Sequence, residues 1–183
     1  MSPAPVVVLP WDPAWPAQFE ALRTVLAAAL GDVARAIHHV GSTAVPGLPA
    51  KPILDVDVEI VSRSDLAECT RRLAGLGYRA AGDLGISGRE AFDRTGLDVP
   101  RDGSGRSWPE HHLYVCASDA PELRRHLLFR DFLRSHPVQA AEYGALKGGL
   151  ADRHGEDREG YTRGKSELIG AILVDAMRAR PAD

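Results

Sequence analysis

The chain has 183 residues, 44% of them hydrophobic and 26% charged, and a formal net charge of −3. That length can bury a core as one domain, or as one with an appendage, and the composition is ordinary for a soluble globular protein. No overall basic field invites nucleic acid or an anionic membrane, no dense run of lysine and arginine supplies a local one, and no apolar run approaches the roughly 18 residues of a membrane span.

Near the start, MSPAPVVVLPWDP has no positively charged stretch ahead of its apolar run and does not read as a signal peptide. The expectation is a cytoplasmic protein. Val6 to Pro10 predicts a short strand that ends in the turn Trp11-Asp12-Pro13. From Ala14 to Leu30 the residues Phe19, Leu22, Val25, Leu26 and Leu30 recur at helical spacing, and Gly31 stops the helix. Ala34 to Val40 reads as a second strand running into Gly41-Ser42, after which Pro46, Gly47 and Pro49 forbid a long regular element before a strand over Pro52 to Val61. A helix follows from Asp65 to Leu76, with Asp65 and Glu68 at capping-box spacing.

Tyr78 to Ala81 and Glu90 to Thr95 predict shorter strands, residues 97–108 a loop, and His111 to Ala117 a core strand. Everything after Asp119 is helical in pattern. Asp119 and Glu122 again have capping-box spacing ahead of a stripe of Leu123, Leu127, Leu128, Phe132 and Leu133. A second helix runs from Pro137 to about Arg153, and a third from Glu156 to Arg180, with an irregularity near Gly164 to Ser166. Residues 1–118 therefore read as a mixed α/β body and 119–183 as a helical part packed on it. Cys69 and Cys116, distant in sequence and in different elements, read as free buried thiols.

The chemistry concentrates in HVGSTAVPGLPAKPILDVDVEI, His39 to Ile60. In a strand, Asp55, Asp57 and Glu59 share one face while Leu54, Val56, Val58 and Ile60 supply core from the other. A buried row of like charges calls for a cation. The preceding Gly41-Ser42 turn can offer backbone N–H groups to phosphate oxygens, and closely spaced carboxylates suit Mg²⁺ shared with a phosphate ligand. Lysine occurs at only three positions, Lys51, Lys147 and Lys165, in a chain that otherwise uses arginine for positive charge. A lysine ammonium is a flexible point charge and a common phosphate partner.

Val40-Gly41-Ser42 followed by Asp55-Val56-Asp57 resembles the pattern of nucleotidyltransferases of the DNA polymerase beta type: a hydrophobic residue, Gly, Gly or Ser, a spacer, then Asp, a hydrophobic residue and an acid. More narrowly, HVGSTAVPGLPAKPILDVDV resembles the hallmark of the GrpB family, a branch of that superfamily. The likeness extends over nearly the whole chain through WDPAWPAQF, HHLYVC, HLLFRDFLRSHP, EYGALK and YTRGKS. It implies a nucleotidyltransferase-like mixed sheet flanked by helices. It also implies Asp55 and Asp57 as catalytic metal ligands, a nucleoside triphosphate as ligand, and Gly41, Ser42, Lys51, Arg130, Lys147 and Lys165 as its contacts.

One departure stands out. Active members of the superfamily usually add a third carboxylate from a later strand, whereas HHLYVCA offers His111, His112 or Tyr114. Glu59 is the candidate substitute as a metal ligand, and His112 the candidate general base. Other motifs carry less. Gly164-Lys165-Ser166 imitates the end of a P-loop but has Glu159 where the first glycine belongs. The histidines and cysteines lack zinc-site spacing, and Ser42 lacks a nucleophile elbow. Three readings follow: a nucleotidyltransferase acting on a small-molecule or protein acceptor, a nucleotide-binding module with weak or no catalysis, and a partner-binding protein on the same fold. No nucleic-acid or membrane partner is expected.

Overall fold

The computed structural model describes residues 7–153 and 158–179. Helix α1 (Ala14–Leu30) starts where the Asp12 carboxylate accepts the Ala14 N–H at 2.8 Å, and ends at Gly31, whose φ of 52° few side chains tolerate. Its stripe of Trp15, Phe19, Leu22, Leu26 and Leu30 is buried. The next elements are β1 (Ala34–Val40), β2 (Leu54–Ile60), α2 (Leu66–Gly75), β3 (Tyr78–Gly82), β4 (Arg89–Arg94) and β5 (His111–Ala117). They are followed by α3 (Pro121–Ser135), α4 (Pro137–Arg153) and α5 (Arg158–Arg178). Among the described residues, no helix is long and apolar enough to cross a membrane.

The strands form one mixed sheet in the order β1-β2-β5-β4-β3. β2 and β5 run parallel, and the other neighbours are antiparallel. The period-2 pattern of β2 sets its two faces. Leu54, Val56, Val58 and Ile60 join Leu113 and Val115 of β5 in the main core, packed against the stripes of α1 and α2. Each of these β2 side chains is at most 2% exposed, which stabilises the fold by roughly 1.5–3 kcal/mol apiece. The opposite, acidic face meets α3. A second apolar cluster, with Phe129, Phe132, Leu133, Tyr143, Ile172 and Leu173, holds α3, α4 and α5 together and takes in Val45 and Leu48 from the segment before β2. Both cysteines are buried and unpaired.

Several local expectations are corrected. The strand over Val6 to Pro10 reduces to a single bridge between Leu9 and Ala50, with Val6 outside the described residues. The capping box near α2 lies one turn earlier, between Ser62 and Asp65, because a 3-10 turn over Arg63–Asp65 leads the chain in. Glu68 is then left to bond Arg71 and Arg72. Asp119 and Glu122 form no box at α3, where Pro121 opens the helix and no side chain caps it. Gly164 does not interrupt α5. A Cβ there would lie 2.5 Å from Leu150 Cδ2, so the glycine permits close approach of α4 and α5. Residues 156, 157 and 180 of the third predicted helix lie outside the described residues.

Two buried histidines serve the fold. His111 Nδ1–H donates to the Pro109 carbonyl at 2.8 Å, leaving Nε2 to accept the Tyr78 hydroxyl at 2.6 Å. His39 stacks on Phe19 with ring centroids 4.6 Å apart and bonds Thr43 Oγ1 at 2.9 Å. Burial pulls both imidazoles down to about 4. The unfolded chain therefore takes protons near pH 6.5 that the native state refuses until about pH 4, and stability falls as pH drops through that window. At about pH 5 each histidine is expected to have cost about 2 kcal/mol relative to neutral pH. Urea unfolding at both pH values checks this, and His39→Gln should remove about half of the histidine-linked loss. An identical pH dependence in that variant would refute the assignment.

Candidate active site

β1 ends in Gly41, which turns the chain at φ 68° and ψ −167° beside the first acid of β2. A Cβ at Gly41 would overlap Asp55 Oδ2 and lie 2.9 Å from Asp55 Cγ, so glycine is what lets the turn and the carboxylate meet. Gly41, Ser42 and Asp55 line a cleft of about 330 Å³ between the sheet and the C-terminal helices. α3 contributes Glu122, Arg125, His126 and Phe129 to its walls, α4 contributes Tyr143, and α5 contributes Lys165.

Register explains the acidic face. Asp55 pairs with Val40 on one side and His112 on the other, and Asp57 with His38 and Tyr114. His112, at the expected third position, donates Nδ1–H to Asp55 Oδ1 at 3.0 Å, and half of its side chain faces solvent. Because a carboxylate can only accept, the neutral ring carries its proton on Nδ1. The buried core histidine of the pair is His111 instead.

Asp57 shares the face of Asp55 but does not stand at the mouth of the cleft. It is 0% exposed, because His126 reaches down from α3 and donates Nδ1–H to Asp57 Oδ2 at 2.7 Å. His126 Nε2 faces Glu122 Oε1 at 3.1 Å. Burial works against a charged ring here, but the Asp57 hydrogen bond and the charges of Asp57, Glu122 and Asp55 outweigh it and raise the pKa. The ring sits between two carboxylates, which favours its protonated form. Asp57 Oδ1 stays buried without a hydrogen-bond partner among the described residues. His126 escaped the sequence reading. Its signal was its place between Glu122 and Phe129, on a helix face that the leucine stripe leaves free.

The lysines behave as a group. Lys147 is 3% exposed, with Nζ 4.6 Å above the Tyr143 ring and no hydrogen-bond partner among the described residues. Burial first, then the charge of Lys165, lower its pKa to about 7, while Asp55 opposes the shift. Lys165 is lowered by burial and then by Lys51, again with Asp55 opposing. The only three lysines of the chain thus act on one another around Asp55.

Two predicted residues lie elsewhere. Glu59 points away from the cleft because His38 and Ser118 take its oxygens at 2.8 and 2.7 Å, and it lines a separate depression with Leu123 and Arg124. Arg130 is on the far side of the Gly41 turn, where it donates to the His39 carbonyl at 3.1 Å and pairs with Asp131 at 2.7 Å. It lines a different pocket with Trp11 and Phe19. As placed, Glu59 supports no metal in the cleft and Arg130 no phosphate there. Among the described residues, no three His, Cys, Asp or Glu side chains converge as a metal site.

The GrpB protein family model matches residues 5–175. Over 174 residues the chain is 41% identical to a UPF0157 protein of Pseudomonas aeruginosa, covering 95% of this chain and 69% of that one. The crystal structure of conserved protein GrpB from Enterococcus faecalis is similar with a TM-score of 0.78 at 32% identity, over 94% of this chain and 98% of that chain. The Cid1 poly(U) polymerase, solved with MgGTP bound, is similar in fold alone, with a TM-score of 0.54 at 15% identity over 79% of this chain and 45% of that one.

Proposed function

Because this chain belongs to the GrpB family and has an α/β fold similar to nucleotidyltransferases, we propose that it binds a nucleoside triphosphate and transfers the nucleotidyl group to a small-molecule or protein acceptor. The observation that carries this reading is the meeting of the Gly41-Ser42 turn, Asp55 and Lys165 at one cleft, with Lys147 and Lys51 close enough to Lys165 for their charges to act on one another. Clustered amines, one of them without a hydrogen-bond partner among the described residues, suit a ligand with several negative charges, and a triphosphate is one.

In the transfer, an acceptor hydroxyl oxygen bonds to the α-phosphorus, the bond from that phosphorus to the bridging oxygen breaks, and pyrophosphate leaves. The hydroxyl proton goes to a base, the role we assign to His112, which is positioned through its Nδ1–H bond to Asp55. The Gly41-Ser42 backbone and the lysines orient the triphosphate, and the helical wall limits water. Asp55 and Asp57 are the residues that would hold Mg²⁺, which supplies neutralisation of charge developing on the phosphates. The unpartnered Asp57 Oδ1 beside Asp55 fits such an ion. Phosphate oxygens and water would complete the coordination of such an ion.

A second reading, a nucleotide-binding module with weak or no catalysis, is favoured by the residues opposite the acids. His112 and Tyr114 stand in the β5 register positions that face Asp55 and Asp57. A thermal-shift series with the four nucleoside triphosphates, with and without Mg²⁺, tests the shared premise. Stabilisation of about 2.7 kcal/mol is expected at a hundredfold excess over Kd. No shift with any nucleotide would overturn both readings. Transfer of label from an α-phosphate then separates enzyme from binding module.

The lysines yield a prediction with two opposite signs. Lys147→Met should lower triphosphate affinity at least about fivefold, a cost of about 1 kcal/mol. The same change should stabilise the ligand-free protein by about 1–3 kcal/mol, since it removes an amine buried without a hydrogen bond. The parent protein, with this pKa held near 7 against 10.5, should gain stability as pH rises between those values. Loss of both affinity and stability in Lys147→Met would show an ordinary structural lysine.

A further inference from the structure

The cleft has a second cationic end that the triphosphate reading leaves unused. Arg89 of β4 lies over the Tyr114 ring, 4.3 Å from its centroid, and its Nε is buried with no hydrogen-bond partner among the described residues. Arg125 of α3 lines the same cleft, with 47% of its side chain exposed and one ion pair, to Glu122 at 2.9 Å. Ile86 and Phe129 add apolar surface between them.

The sheet register separates the two ends. Asp55 and His112 form one row, Asp57, Tyr114 and Ala91 the next row on that face, and Arg89 stands opposite Cys116 in the row after that. The Arg89 backbone is therefore about 13 Å along the strands from the Asp55 row, and its guanidinium reaches back to the Tyr114 row that lies between them. Asp57, Glu90 and Glu122 surround Cys116, the register partner of Arg89, yet none of them bonds Arg89 Nε. A guanidinium stacked on an aromatic ring is pre-organised, and its planar fork matches a carboxylate or a phosphate.

We propose, resting on the nucleotidyl-transfer reading, that Arg89 and Arg125 form the acceptor subsite and that the acceptor is a small hydroxylated acid. Its phosphate or carboxylate sits on the two arginines, and its hydroxyl points back towards Asp55 and His112. A cleft of about 330 Å³ that must also admit part of a nucleotide suits a small acid better than a folded protein surface.

The test is isothermal titration of full-length protein first loaded with Mg²⁺ and a non-hydrolysable α,β-methylene triphosphate. Inorganic phosphate and acetate are then titrated separately, and a short single-stranded oligonucleotide is a third arm. Phosphate or acetate should bind the loaded protein, and the better of the two names the acid. Affinity should fall at least about tenfold in Arg89→Gln and at least about threefold in Arg125→Gln. Arg125→Gln guards against misfolding of the less exposed Arg89 variant, and both should still take up the triphosphate analogue. Anion affinity unchanged in both variants overturns the proposal, as does binding of the oligonucleotide alone. Failure of the initial nucleotide loading instead refutes the reading on which the subsite rests, and the two failures are seen in different titrations.

Discussion

Asp57→Asn is expected to weaken Mg²⁺-dependent triphosphate binding at least about tenfold while shifting the apo stability by less than about 1.5 kcal/mol. Asparagine keeps the shape, and its side-chain oxygen can still accept the His126 Nδ1–H that Asp57 Oδ2 now accepts at 2.7 Å. What it removes is the negative charge of a residue that is 0% exposed and carries an unpartnered oxygen. An ionised carboxylate buried in this way is costly unless a cation compensates it, and in the apo protein only one of its oxygens meets His126. The variant therefore relieves desolvation and loses an ion pair at once, and the two effects largely offset each other. Metal binding has no such compensation. A neutral amide is a poor ligand for Mg²⁺, so nucleotide affinity in its presence should drop at least about tenfold, or about 1.4 kcal/mol. Asp55→Asn should behave alike, since its amide oxygen can still accept the His112 Nδ1–H that Asp55 Oδ1 now accepts at 3.0 Å. Titration of nucleotide with and without Mg²⁺ decides the matter. If both variants bind as tightly as the parent, the acidic strand holds no metal.

Gly41→Ala should be the most damaging single-methyl change in the chain. The backbone conformation at φ 68° and ψ −167° belongs to glycine, and imposing it on alanine costs about 1–3 kcal/mol. The new Cβ would also overlap the Asp55 carboxylate, whose Cβ lies 3.0 Å from the added atom on the rigid neighbouring strand. Either the turn opens or Asp55 leaves its place, and the phosphate cradle is lost both ways. Gly47→Ala is the matched control. Its φ is 78°, but nothing lies within 4 Å of an added Cβ, so only the backbone cost of about 1 kcal/mol remains. Denaturant unfolding should show Gly41→Ala less stable than Gly47→Ala by at least about 1 kcal/mol, with nucleotide binding retained only in the control. Equal stability of the two variants would mean that Gly41 and Asp55 do not meet as described.

Periodicity determined most of the architecture before any packing is considered. The 3.6-residue recurrence in Ala14 to Leu30 and the alternation in Leu54 to Ile60 are properties of the covalent chain, and α1 and β2 follow them closely. The same alternation sets Asp55 and Asp57 on one face, and the turn chemistry of Gly41 sets where the preceding strand ends. Partner choice is a different matter, because it depends on distances between elements that local pattern does not encode. Glu59 has the same strand parity as Asp55, yet His38, 21 residues earlier, and Ser118, 59 residues later, draw it out of the cleft. Arg130 and His126 lie on the same helix, but one turns behind the Gly41 turn to the His39 carbonyl and the other reaches Asp57 across 69 residues of sequence. Lys147 is buried and Lys165 partly so only because α4 and α5 close over the cleft. The chain alone determined which charges exist and which face of each element carries them. Tertiary packing decided which of those charges meet, since burial and register, not spacing along the chain, set the energy of each pair.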